Sequence, residues 1–270
     1  MPGFRYSLNA STIRTTPLLL QITAAAEAGY EGIELWHSDI DLFLQHGGTL
    51  ADIRRALSDH GLQVPSTISV KNWFEAPDDS FPGVKEEILR RFEQAAAIAA
   101  GFIVAGPPAG RADRRNGARR YRDLLQIGRT FGLVPAFEYL GFVADLCTIE
   151  AAVDVLNLSE DPDACLVLDP FHCHVGGGSM RSVAKLRAAQ VAVSHFNDAP
   201  AEPAAALQRD PDRVMPGDGI LDLKLYCDQL RRIGYTGFLS LELFRPDLWA
   251  QDPAEVARRG LEKMRAAAET

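Results

Sequence analysis

LVPAFEY at residues 133–139, ACLVLDP at 164–170, VAVSHFN at 191–197 and FLSLELF at 238–244 decide the fold. Each is a short apolar run of strand length, and each is followed by a stretch with helical spacing, at 148–156, 179–188, 221–233 and 253–267. The same alternation extends back to the start of the chain. Strands are expected at 4–9, 32–36, 62–70 and 102–105, with helices at 17–28, 50–59, 84–100 and about 113–131. Thr15 and Thr16 are placed to cap the first of these helices and Thr49 the second, with Gly29 stopping the first. This makes eight β–α units with no spare element. Strands joined by crossover helices imply a parallel sheet, and eight units in 270 residues match a closed (β/α)8 TIM barrel. An open doubly wound sheet would give the same alternation, but no G-x-G-x-x-G follows the first strand. No linker, repeat or charge-block boundary interrupts the pattern, so residues 1–270 are expected to form one domain.

Composition excludes several classes. Apolar residues at 47% and charged residues at 24% rule out a disordered or collagen-like chain. The net charge of −8 counts against general nucleic-acid binding. The run RADRRNGARRYR at 111–122 reads as the solvated start of a helix rather than a nucleic-acid patch. Cys147, Cys165, Cys173 and Cys227 form no C-x-x-C pair and sit in or beside apolar segments, which predicts free thiols in a reducing compartment. MPGFRYSLNA lacks the basic and apolar regions of a secretory signal, and no window approaches a membrane span. The expected location is the cytoplasm.

The chemistry collects at the strand ends, where a barrel of this type carries its active site. Strands five to eight each deliver one metal-competent side chain there: Glu138, Asp169, His195 and Glu242. Side chains alternate along a strand, so an inward Glu138 brings Val134 and Ala136 inward, and Asp169 brings Cys165 and Val167. His195 likewise brings Val191 and Val193, and Glu242 brings Phe238 and Ser240. These companions suit a barrel interior. Three buried carboxylates without a counter-charge cost several kcal/mol each, and one divalent cation relieves them. The O3N donor set suits Mn, Co, Zn or Mg.

From Tyr30–Trp36 (YEGIELW) onward, and most clearly in FEYLGF, LVLDPFHCH, VSHFND, DRVMPGDGILDL and SLELFRP, the chain resembles the sugar-phosphate isomerase/epimerase superfamily of xylose-isomerase-like barrels. Within it, the resemblance is to the inosose isomerases of inositol catabolism. The spacings of 31, 26 and 47 residues among Glu138, Asp169, His195 and Glu242 agree with that family's ligand pattern for a single metal ion. The resemblance implies an enzyme acting on a small keto-sugar or keto-inositol by proton transfer through an ene-diolate, with Glu138 and Glu242 as acid and base. It also gives His172 and Arg213 contacts to substrate oxygens. By residue type and place in the sequence, Arg213 is also the nearest cation to balance the carboxylates. Ketose 3-epimerisation and elimination of water begin with the same proton abstraction, so the pocket loops must separate them.

Other features read as local structure. Gly176–Gly178 is expected to be a flexible loop, and Trp36, Trp73, Phe142 and Phe244 follow strands where they could wall the pocket. His37, His46 and His60 do not collect with the partners that the three-metal endonucleases of this fold require.

Overall fold

The computed structural model describes residues 3–269. Eight parallel strands close in sequence order: β1 (Arg5–Asn9), β2 (Gly32–Trp36), β3 (Val64–Val70), β4 (Ala100–Ala105), β5 (Val134–Glu138), β6 (Cys165–Leu168), β7 (Val191–Phe196) and β8 (Phe238–Leu241). β8 pairs back onto β1, which excludes the open sheet. The major crossover helices are those read from the sequence. They are α1 (Leu18–Ala28), then, after one further helix, α3 (Leu50–Asp59), α4 (Phe81–Ala97), α5 (Arg114–Phe131), α6 (Ile149–Ser159), α8 (Leu223–Arg232) and α10 (Pro253–Glu269). Thr49 caps α3 in a reciprocal capping box with Asp52, and Asp113 caps α5.

Several details depart from the sequence reading. Three short helices are inserted on the mouth side of the strands: α2 (His37–Gln45), α7 (Pro170–Val175) and α9 (Pro246–Trp249). The sequence announces α2 poorly because its N-cap is Trp36, which offers no capping acceptor. α7 carries the cap Asp169 and a proline at its first position, a signal that was present in the sequence. The helix expected at 179–188 is a 3-10 turn, Met180–Lys185. α1 starts at an uncapped Pro17, and Thr15 instead donates to the Trp249 carbonyl at 2.9 Å. Gly176 is packed rather than loose: a Cβ there would stand 2.0 Å from the Cys147 carbonyl oxygen.

Apolar side chains fill two layers. The larger lies between strands and helices, and it includes Leu8, Ile33, Leu35, Phe137, Leu168 and Leu241. The smaller fills the barrel, with Ile68, Val104, Ala136, Cys165, Val167 and Ala192. Glu138 and Asp169 therefore keep the inward companions that alternation gives them. His195 does not keep Val191. The β6–β7 register shifts between Leu166 and Val167, so Val191 joins the outer layer and Ala192 the inner. All four cysteines are free. Among the described residues, no helix is long and apolar enough to cross a membrane. Three arginines of 111–122 form ion pairs within the chain: Arg114 pairs with Asp154, and Arg119 and Arg120 share Asp78.

Candidate metal centre

Glu138 ends β5, Asp169 follows β6, His195 lies in β7 and Glu242 follows β8. The barrel brings all four to one point. One ligand atom from each lies within 4.8 Å of the others, and all four residues are buried. Donors around an ion with bonds of about 2.1 Å stand roughly 3.0–4.2 Å apart, so the site needs only a slight adjustment to share one. His195 Nδ1 sits 3.0 Å from Glu138 Oε1 and 3.1 Å from Glu242 Oε2, yet makes no aligned hydrogen bond. A ring nitrogen set among carboxylate oxygens without an aligned hydrogen bond is an arrangement that a shared cation satisfies. The residues present thus fit a divalent ion, held by Glu138, Asp169, His195 and Glu242.

Arg213 closes one side of the cluster. It reaches in from the loop between β7 and α8 and is 1% exposed. Its Nη1 donates to Asp169 Oδ2 at 2.6 Å and to Glu242 Oε2 at 2.8 Å. Its Nη2 donates to Asp210 at 2.9 Å and lies 2.9 Å from His172 Nε2. Since a guanidinium only donates, His172 Nε2 is the acceptor and its Nδ1 carries the proton, with no partner among the described residues. Burial, with Arg213 adding to it, pushes His172 down to about 4, so the ring is neutral near pH 7.

The carboxylates are held differently. Burial alone would raise Asp169, but Arg213 outweighs it, and the amides of Phe171 and His172 donate to Oδ1, so the group stays ionised. Glu138 has no such cation. Burial, with Glu242 and Asp169 adding to it, drives its carboxyl well above the ordinary range against the pull of His195. Burial opposes charge on His195, but Glu242, Glu34 and Glu138 override it and push the imidazole well up.

A cavity of about 750 Å³ opens above the cluster. Glu138, Glu242, His172 and Arg213 line it, as do the rings of Trp36, Phe142 and Phe244. Trp36 and Phe244 meet edge to face at 5.7 Å, and Phe142 stands 5.2 Å from the His172 ring. Trp73 is not part of this wall. It is fully buried against Phe74, Tyr121 and Phe137 in the outer layer.

Sequence reasoning missed the supports contributed by the first two strands and by the residue after His195-Phe196. Asn9 donates to Glu34 Oε2 and Glu242 Oε1, both at 3.1 Å, and accepts from Trp36 Nε1 at 2.8 Å. Asn197 donates to both Asp169 oxygens at 3.3 Å. Glu34 is a fully buried carboxylate within the apolar run GIELW. That was the same signal that marked Glu138 and Glu242, and it was legible on β2 as well.

The chain matches the xylose isomerase-like TIM barrel family over residues 22–267. The inosose isomerase of Bacillus velezensis is 24% identical over 261 residues, covering 94% of this chain and 92% of that protein. A 3-dehydroshikimate dehydratase of Pseudomonas aeruginosa is 26% identical over 262 residues, covering 90% of this chain and 39% of that longer protein. The IolI protein, solved with a bound zinc atom, superposes with a TM-score of 0.91 at 21% identity, covering 98% of both chains. With the closed barrel, the strand-end cluster and this match in agreement, the chain belongs to the xylose isomerase-like TIM barrel family.

Proposed function

We propose that this chain is a metal-dependent isomerase that moves a ketone along a cyclic keto-polyol, with inosose as its substrate class. The observation that carries the proposal is the convergence of Glu138, Asp169, His195 and Glu242 within 4.8 Å beside a cavity of about 750 Å³. The similarity to inosose isomerases along almost the whole chain supports it. When bound, one divalent ion (Zn, Mn, Co or Mg) supplies Lewis acidity toward adjacent ketone and hydroxyl oxygens.

The chain's own groups do the rest. Glu138 and Glu242 both face the cavity, so each can exchange a proton with a substrate carbon. Glu242 is oriented by Arg213, which donates to Oε2, and by Asn9, which donates to Oε1. Glu138, at the end of β5 on the cavity wall, is the second group placed to act as base or acid. His172 offers its free Nδ1–H to a substrate oxygen, and Arg213 fixes that ring. The aromatic rings of Trp36, Phe142 and Phe244 exclude water and pack on the apolar faces of the sugar ring. The partner implied is a small molecule in the cytoplasm, with no nucleic acid.

A second reading is elimination of water or 3-epimerisation at the same site. It is favoured by the similarity to 3-dehydroshikimate dehydratases and by Lys71, which lines the cavity and has no carboxylate partner among the described residues. An ammonium there suits a carboxylate-bearing substrate. NMR of zinc-loaded protein in deuterated water, with inosose, several ketoses and 3-dehydroshikimate, decides the matter. Ketone transposition in inosose supports the first reading. Deuterium at carbon three of a ketose, or loss of water from 3-dehydroshikimate, supports the second. Inert behaviour toward all of them, with zinc bound, refutes both.

A further inference from the structure

We infer that Glu34 is a positioning residue for the metal centre: it takes the outer ring nitrogen of His195 and thereby turns Nδ1 toward the ion. The inference rests on the reading of Glu138, Asp169, His195 and Glu242 as ligands. It adds a fifth acidic or imidazole group that holds no ion itself.

The geometry is specific. His195 presents Nδ1 to the ligand cluster, at 3.0 Å from Glu138 and 3.1 Å from Glu242. Its Nε2 points the other way, 3.4 Å from Glu34 Oε2, and has no other partner among the described residues. An imidazole that ligates through Nδ1 must carry its proton on Nε2, and a buried N–H without an acceptor is costly. Glu34 is the acceptor within reach. Both residues are fully buried.

Glu34 is itself fixed from the opposite side. Ser66 Oγ donates to Oε1 at 2.5 Å, and Asn9 Nδ2 donates to Oε2 at 3.1 Å. These two donors hold the buried carboxylate in place with Oε2 toward His195 Nε2. Asn9 extends the support. Through its second hydrogen bond it holds Glu242, and its carbonyl oxygen receives the indole of Trp36 from the cavity wall. One chain of contacts thus runs from the pocket wall through Asn9 to two different ligands. Carboxylate partners of ligating histidines are typically worth 10–100-fold in metal affinity.

The test is zinc affinity, measured by chelator competition on wild-type protein and on Glu34→Gln and Glu34→Ala. The expected result is a loss of about 10-fold for Gln and up to about 100-fold for Ala. The melting temperature of the zinc-free protein should not fall in parallel, because the substitution removes one of four crowded carboxylates. Unchanged zinc affinity in both variants overturns the role of Glu34. Absence of stoichiometric zinc binding in the wild type overturns the ligand reading beneath it, so the two failures are distinct. A measurement on the wild type covers the case in which the variants do not fold. With isotope-labelled histidine, NMR of the zinc-loaded protein should find His195 protonated at Nε2 and metallated at Nδ1. The opposite pattern overturns the inference.

Discussion

Arg213→Met tests the electrostatic logic of the site without touching a ligand. The methionine keeps much of the aliphatic stem but removes the guanidinium, whose carbon stands 4.9 Å from the Phe171 ring and 5.4 Å from the Phe244 ring. Asp169 and Glu242 then lose donors at 2.6 and 2.8 Å, and Asp210 and His172 lose theirs at 2.9 Å. Removing one partner from a buried charge pair typically costs 3–5 kcal/mol, because the remaining charge stays buried without compensation. At about 2.1 cal/mol/K per residue over 270 residues, this lowers the melting temperature by roughly 5–9 °C. The assay is a thermal melt at pH 7 after chelation, repeated with saturating zinc. The ion restores positive charge to the same oxygens, so the deficit should shrink in its presence. A zinc-free variant as stable as the wild type would refute the idea that the carboxylates depend on Arg213. A deficit that zinc leaves untouched would refute the idea that ion and guanidinium balance the same groups.

Three further outcomes are expected. Glu242→Gln should lower kcat by about 10²–10⁴ with no loss of folded protein, read by proton exchange in deuterated water; full activity would remove its acid–base role. Trp73→Ala should cost about 3–5 kcal/mol in denaturant titrations, because a fully buried indole leaves a cavity against Phe74, Tyr121 and Phe137, while KM stays near wild type. A large KM change with unaltered stability would return Trp73 to the pocket. His37, which bonds Gln94 through Nδ1 at 2.9 Å, is held down to about 4, first by burial and then by Arg91. Its ordinary value is 6.5, so the unfolded chain binds the extra proton between those values. Its contribution is therefore complete above pH 6.5 and fades as pH falls toward 4, by up to about 3 kcal/mol. His37→Gln should flatten that part of the stability–pH curve, and an unaltered slope would contradict the burial argument.

The parts of the fold that were legible beforehand share a cause. Capping of α3 by Thr49, the stop of α1 at Gly29 with its positive φ of 91°, and the alternation of Val134, Ala136 and Glu138 are all written in neighbouring residues. The misreadings share one too. Simple alternation places Val191 in the interior, and a register shift between β6 and β7 reverses it. Trp73 follows a strand end as Trp36 does, yet the two rings face different layers because the backbone between Val70 and the α4 helix turns Trp73 outward onto Phe137. α2 lacks a side-chain cap, so its presence depends on contacts beyond its own sequence.

The sequence by itself determined the eight-fold alternation and singled out the four side chains that meet at the strand ends, because period and residue type are local properties of the chain. Only the tertiary structure decided what stands behind those ligands. Glu34 and Asn9 are more than a hundred residues from His195 and Glu242 along the chain, and they touch them only because β8 closes onto β1 and bends the sheet into a ring. Hydrogen bonds act over about 3 Å of space, whatever the separation in sequence, so the outer support of the site becomes visible only once the barrel is shut.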